Sequence, residues 1–425
     1  MNLQHTAEQT LALMRRQGFD AAMVGVSQHA LAELNVAHND PALMRSTERH
    51  KLALLGLLDG RRASTEIGDL GDEAVAQAVN ELLASARSAP QDDANAVSAG
   101  QQADIHQGPM GADPAAMAQA MVDLLAWRGA NTPSVMLEEA MVSHHRRQSF
   151  TATSGGSALA CQIGWYELMA MATAREGDQS SSFNYAGGSG HALGTAPAAP
   201  GFGIDRMLAE LARQVHTQPL AQRFVGDVVL TPAAVDSLLG WLRGQLSDLA
   251  LISGTSLYRG RVGELIASPL LDLHSRFDAP GLAALSADGF VAAPVALLRA
   301  GRLTTLLPSL YGSRKTGLPH VPVGAGGWAL TAGSTPLATL IEGVERGAVV
   351  GRLSMGMPAA NGDFSGVIKN SFLVEGGQVG PALSEVMVSG NMAQMLRDVV
   401  AVSSERQDTG DTCLPWLRIG GLHFS

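Results

Sequence analysis

The sequence predicts an α+β protein in two parts: an N-terminal α/β domain over 1–203 and a strand-rich C-terminal domain with a few helices over 204–425. Three observations predict it. Residues 1–90 mix helical and strand-like apolar periods. Residues 177–203 are rich in Gly, Ser, Ala and Pro, the composition of a long loop or a domain boundary. Past residue 222 short strands bounded by turn residues become frequent, punctuated by a few helices, and that segregation is the mark of α+β architecture.

The N-terminal elements follow from periodicity. Residues 9–17 read as helix, 21–26 (AAMVGV) as a buried strand, and 51–58 as a second apolar run ending at the turn pair Asp59-Gly60. Residues 73–87 are helical through Val75, Val79, Leu82 and Leu83. Residues 90–113, poor in apolar side chains, read as a surface connection. Asp113-Pro114 then opens a helix, because Asp suits the N-cap and Pro the first helical position, where its missing N–H costs nothing. Met117, Met121, Leu124 and Leu125 form its apolar face. A helix over 205–214 follows the Gly/Ser-rich stretch.

In the second half, 224–230, 262–273, 290–298 and 302–307 read as strands, with Ala300-Gly301 as a hairpin turn. Residues 371–375 and 378–382 form another hairpin around Gly376-Gly377. Thr231-Pro232 opens a helix with Val235, Leu238, Leu239 and Leu242 on one face. Thr335-Pro336 opens a second, expected to close near Gly347. Asn391 caps a third, expected to turn Met395, Leu396, Val399 and Val400 inward.

Composition limits function. A net charge of −10 and no Lys/Arg-rich run argue against nucleic-acid binding, which depends on displacing counterions with positive charge. No run of about 18 apolar residues predicts a membrane span. The N-terminus lacks a signal-peptide pattern, so the expected location is cytoplasmic. The two cysteines, Cys161 and Cys413, are read as reduced thiols, Cys161 buried in an apolar run and Cys413 exposed.

Chemistry is sparse. None of the 12 His is followed by Glu, so a helical zinc-protease motif is absent and neither metal nor cofactor is expected. His144-His145 is the only adjacent pair. Neighbours in a strand or helix diverge, and with Arg146 and Arg147 the pair reads as an exposed basic patch. No Gly-x-Ser-x-Gly elbow occurs. Ser154–Ser157 and Gly187-Gly188-Ser189-Gly190-His191 read as flexible loops. Gly324-Ala325-Gly326-Gly327-Trp328-Ala329 fits Gly-x-Gly-x-x-Ala, but no helix is expected after it to receive a pyrophosphate, so it is rejected as a dinucleotide site.

The C-terminal segment carries a resemblance. Asn361-Gly362-Asp363-Phe364-Ser365, Val374-Glu375-Gly376-Gly377, Ser384–Met392 and Leu417–Leu422 follow one another in the order and spacing of the TldD/PmbA (TldE) family, once called modulators of DNA gyrase. Ser256–Glu264, Gly301-Arg302-Leu303 and Lys315-Thr316-Gly317 resemble earlier family segments. The resemblance implies a two-domain α+β fold and a peptidase system acting on unfolded or modified peptides. It also implies a helical His-Glu-x-x-x-His zinc motif in one branch, with a Cys ligand near the C-terminus. At the matching positions here stand Gly240, Trp241 and Gln245, with Ser403 near the place of the Cys. The chain therefore resembles the non-metallated type. The expected partners are a second copy or a TldD-like metal-bearing subunit, together with a peptide substrate. Asn361, Asp363, Phe364 and Ser365 are candidates for a substrate-shaping loop, or equally for a tight turn held by Asn and Asp side chains. Two other functions remain: a homodimeric binding protein without protease role, or an autonomous hydrolase using Cys413, Cys161 or Ser189.

Overall fold

The computed structural model describes residues 2–193, 201–277, 279–323 and 326–425. The first unit runs α1 (Leu3–Arg16), β1 (Ala21–Ala37), β2 (Asp40–Leu58), β3 (Arg61–Ile67), α2 (Asp72–Ser88), β4 (Gln102–Gln107), α3 (Pro114–Asn131), β5 (Val135–Thr153), β6 (Ala158–Glu176), β7 (Gln179–Ser180), β8 (Asn184–Gly190) and α4 (Ile204–Ala212). Its sheet has the order β3-β2-β1-β5-β6-β4, with β7 and β8 also paired to β6.

Strands β1, β2, β5 and β6 are far longer than their apolar runs. The alternation of β1 at Ala22, Val24 and Val26 continues beyond residue 26 as a polar-faced ribbon, because antiparallel partners on both sides take up its backbone groups. The Asp59-Gly60 turn joins β2 to β3 with both residues at positive φ, as the expected turn requires. One sheet face is covered by helices. Ala7, Leu11 and Met14 of α1 and Val75, Val79 and Leu82 of α2 pack on Val24, Val26, Leu52 and Leu54. Met117, Met121 and Leu124 of α3 pack with Ile204, Leu208 and Leu211 of α4 on Leu137, Val142 and Leu168. The core of the first sheet thus includes a helix that follows residue 203.

Three expectations for this unit change. Residues 90–113 hold β4, parallel to the start of β6, whose polar alternation gave no apolar signal. Residues 179–180 and 184–190 of the Gly/Ser-rich stretch are strands β7 and β8, paired to β6; residues 194–200 lie outside the described residues. His144 is buried rather than part of an exposed patch: its Nε2 meets the Pro109 carbonyl at 2.9 Å and its ring leans on Tyr166.

The second unit runs β9 (Thr217–Gln218), β10 (Phe224–Leu230), α5 (Pro232–Leu246), α6 (Asp248–Ser253), β11 (Leu273–Arg276), β12 (Ala296–Arg299), β13 (Arg302–Leu303), α7 (Leu310–Thr316), β14 (Gly327–Leu330), α8 (Leu337–Glu342), β15 (Arg346–Val350), β16 (Arg352–Ser354), β17 (Asp363–Lys369), β18 (Phe372–Glu375), β19 (Gln378–Leu383), β20 (Val386–Asn391), α9 (Met392–Arg397), β21 (Val399–Asp408) and β22 (Thr412–Phe424). Its main sheet has the order β13-β12-β11-β14-β22-β10-β15-β18-β19-β9. Helix α5 buries Val235, Leu238, Leu239 and Leu242 against this sheet in the largest apolar core. A smaller cluster, with Leu340 and Val344 beside Trp416 and Val229, holds α8.

Here the sequence overestimates strand length. The stretch 262–273 is irregular up to β11, since Gly260 and Gly263 both take left-handed conformations that end an extended run. Residues 290–295 are not strand: Pro294 has no N–H for a ladder, and β12 begins after it. Helix α8 stops at Gly343 rather than Gly347, and α9 ends at Arg397, so Val399 and Val400 belong to β21. Gly327–Leu330 is strand, as rejection of the dinucleotide motif requires, while Gly324 and Ala325 of that motif lie outside the described residues. Among the described residues, no helix is long and apolar enough to cross a membrane.

Candidate functional site

A cleft of about 630 Å³ opens between the units. Its first wall is the edge of the first sheet: Trp165, Glu167 and Met169 of β6 and Tyr185–Ser189 of β8. Its second wall is the first turns of α5 (Pro232, Ala233, Asp236, Ser237), and Pro280–Leu282 and Thr409–Thr412 close the ends. Gly187-Gly188-Ser189, read from sequence as loop, is therefore a strand edge in a cleft.

The direction of that edge follows from two bonds. The Ser189 N–H donates to the Thr409 carbonyl at 2.9 Å, away from β6. In an antiparallel pair every second residue points its N–H and C=O outward, so Gly187 and Tyr185 share that orientation. The Tyr185 N–H turns onto the Asn184 side chain at 3.0 Å. Among the described residues Gly187 has no hydrogen bond outside its pairing with β6. The Glu167 carboxyl on the opposing strand is held below the usual carboxylate range, first by its hydrogen bond to His145, and also by the Trp165 indole N–H at 2.8 Å. Asp236 pairs with Arg243 at 3.4 Å. The Asp411 carboxylate caps its own turn, accepting from Thr409 Oγ1 and from the Thr412 N–H.

Of the positions that the resemblance implies for zinc ligands, Gly240, Trp241 and Gln245 lie further along α5 and Ser403 in β21. Gly240 is half-buried. Trp241 packs edge-on to Tyr258, with ring centroids 6.2 Å apart. Gln245 is buried, and its Oε1 accepts the Leu257 N–H at 2.9 Å. Ser403 is fully buried in β21, donating to the Glu405 carbonyl and accepting the Trp416 N–H at 2.8 Å. Gly240 has no side chain, Trp241, Gln245 and Ser403 make contacts within the fold, and none of the four offers the imidazole nitrogens or thiolate that hold zinc. Among the described residues no group of three or more His, Cys, Asp or Glu could hold a metal ion.

Asn361, Asp363, Phe364 and Ser365 lie apart from the cleft lining, at the start of β17. The Asn361 amide donates to Asp363 Oδ2 at 2.7 Å. The Asn391 amide donates to Asp363 Oδ1 at 2.8 Å while its own Oδ1 caps α9. These amides, Asn391 foremost, hold the Asp363 carboxyl below its ordinary range. Phe364 is buried in the main core and Ser365 is exposed. The structure brings this cluster to Trp241: a Cβ on Gly362 would lie 3.1 Å from the indole ring.

The nucleophile candidates are poorly placed. Cys161 is buried, as expected. Cys413 is also buried, in β22 beside β14, which corrects its expected exposure; the alternation of a strand hides it despite polar neighbours. Burial pushes both thiols up, toward the unreactive protonated form. Ser189 Oγ lies 3.3 Å from the Pro280 carbonyl, which it reaches as donor.

Two α+β units with a cleft between them define the class of fold. Residues 224–425 match the family model described as the PmbA/TldA metallopeptidase C-terminal domain. Over 133 residues it is 28% identical to the metalloprotease PmbA of Escherichia coli O157:H7, covering 29% of each chain. Over 205 residues it is 28% identical to a metalloprotease of Methanothermobacter thermautotrophicus, covering 44% of each. The matched stretches thus span less than half of these relatives. The fold is that of TldE from Thermococcus kodakarensis, with a TM-score of 0.83 at 16% identity over 99% of this chain and 100% of that one. A chain from Bacteroides thetaiotaomicron described as a candidate modulator of DNA gyrase matches with a TM-score of 0.83 at 20% identity, over 99% and 98%.

Proposed function

We propose that this chain is the non-metallated, TldE/PmbA-like member of a two-subunit peptidase system, and that it holds an unfolded or modified peptide for a TldD-like, metal-bearing partner. The observation that carries the reading is the outward edge of β8 in the cleft. An extended peptide pairs with such an edge through main-chain hydrogen bonds, which take any sequence but exclude folded substrates. Gly187 and Gly188 let β8 lie close against its own neighbours: a Cβ on Gly187 would meet the β6 backbone, and one on Gly188 the Phe202 ring and the Thr409 carbonyl. Gly240, Trp241, Gln245 and Ser403 support the silent role, since these residues cannot supply the ligand set of a zinc peptidase.

Backbone methylation of the peptide tests the pairing. A fluorescent unfolded peptide is expected to bind the full chain, and N-methylation at alternate residues in one register is expected to weaken binding at least tenfold. Methylation in the other register is expected to leave it near the parent value. Equal binding of both methylated series would remove strand addition as the mode.

A further inference from the structure

A second pocket lies on the same face of the first sheet, beyond the cleft. It has a volume of about 660 Å³, and its lining includes His29, Arg49, Lys51, His145, Arg147 and Trp165. Register assembles it: His29 stands opposite Arg49 on β2 and Arg147 on β5, and His145 stands opposite Trp165 on β6. Side chains share a face every second residue, so four strands in this register gather all six.

One wall is aromatic. The His145 ring lies flat on Trp165, with centroids 4.8 Å and planes 6° apart, and His29 lies flat beside it at 5.3 Å and 9°. The rings are pinned at their edges, His29 Nε2 to His145 Nδ1 at 3.1 Å and His145 Nε2 to Glu167 at 3.4 Å. The other wall is cationic. Lys51 is paired with Glu66 at 2.9 Å. Arg147 donates to a neutral acceptor, the Gly281 carbonyl, at 3.3 Å, and its guanidinium stands 5.8 Å from the Trp165 ring centroid. Among the described residues no carboxylate pairs with Arg147 or with the exposed Arg49. The Glu66 carboxylate also lines the pocket but is paired with Lys51, so two guanidinium groups face it with no carboxylate bonded to either, on a chain whose net charge is −10.

We propose that this pocket binds a carboxylate carried by an acidic peptide, seated between Arg49 and Arg147 against the His29–His145–Trp165 wall. A guanidinium fork matches a planar carboxylate with two parallel hydrogen bonds, and the pocket offers two such forks beside a flat wall. Trp165 also lines the cleft at β8, and Gly281 packs on its indole between the two spaces, so a peptide held in the cleft passes the mouth of the pocket. The carrier of the carboxylate rests on the peptide-binding reading; the anion affinity of the pocket does not.

Two titrations on the full chain separate these. The first adds glutarate, a free dicarboxylate, and follows the ring Hε1 resonances of His29 and His145. The second measures binding of a fluorescein-labelled Glu-rich peptide and its Gln counterpart at one salt concentration. Glutarate is expected to shift both ring signals. The Glu-rich peptide is expected to bind about tenfold more tightly than the Gln peptide, the usual weight of a charge-assisted contact. Arg49→Gln, at an exposed side chain, is expected to erase that tenfold difference and leave Gln-peptide affinity unchanged. Arg147→Gln is expected to do the same, and agreement of the two variants rules out a folding artefact. Equal affinity for the two peptides, or a difference untouched by Arg49→Gln, overturns the proposal. Ring shifts with glutarate but no binding of either peptide also overturn it, and leave a site for free carboxylates while the peptide-holding reading fails on its own.

Discussion

Gln245 illustrates how the same position can be read at two levels. Its type departs from a metal ligand, and its place in the fold explains what it does instead: a buried amide oxygen satisfies the Leu257 N–H after the turn that follows α6. Gln245→Ala leaves that donor unpaired and is expected to destabilise the chain by about 1–3 kcal/mol, read as a lower urea midpoint at unchanged slope. Ser403 is similar, its hydroxyl committed on both sides to backbone groups. The identity of these residues was legible in the sequence, because zinc chemistry admits so few side chains. Their structural partners were not, because each lies on a separate segment. The Asn361–Asp363–Asn391 network was half legible: Asx side chains predict a turn, but only the fold carries Asn391 across from β20.

At the level of elements, end signals were read well and lengths poorly. Asp113 accepts from the N–H groups of Ala115 and Ala116, with Pro114 next to it, as its pattern predicts for the start of α3. Asp113→Ala is expected to cost about 1 kcal/mol in a thermal or urea melt, with Asp113→Asn recovering most of it. The Gly376-Gly377 hairpin also formed, with Glu375 opposite Gln378 and both glycines at positive φ. Strand length escaped the sequence because polar faces extend strands where partners exist, as in β1, whereas Pro294, Gly260 and Gly263 shorten them where the chain must bend. Strand β8 escaped for the same reason. A run of glycines carries no alternation, so the edge that matters most to the proposed function looked like a loop.

For the whole molecule, the two units meet along the sheet face opposite the helices. Asp92 of the first unit accepts from Tyr311 at 2.8 Å and pairs with Lys315 at 2.8 Å in α7 of the second. Lys315 foremost, with the Ala94 N–H and Tyr311, lowers the Asp92 carboxyl to about 2. A carboxyl depressed in the folded state stabilises above its unfolded value near 3.8 and loses that contribution as pH falls through about 2. Asp92→Asn is therefore expected to flatten the acid side of the stability curve in that window and to leave its slope near neutrality unchanged. Other contacts bridge the units too, among them Ser189 to Thr409 and Asn370 to Gln214 at 2.8 Å, so the cleft has fixed walls and not only a hinge. Fold class was legible from the change of texture past residue 222. The cleft was not, because its lining comes from separate segments spread between residues 165 and 412.

The central claim, that the chain holds peptide for a partner and does not cut it, is tested most directly by following one unfolded peptide by mass spectrometry in three zinc-supplemented mixtures: this chain, a metal-bearing TldD-like relative, and both together. The account predicts an intact peptide with this chain alone and faster cleavage with both than with the relative alone. Cleavage by this chain alone, retained after repeated purification and abolished by a chelator, would contradict it.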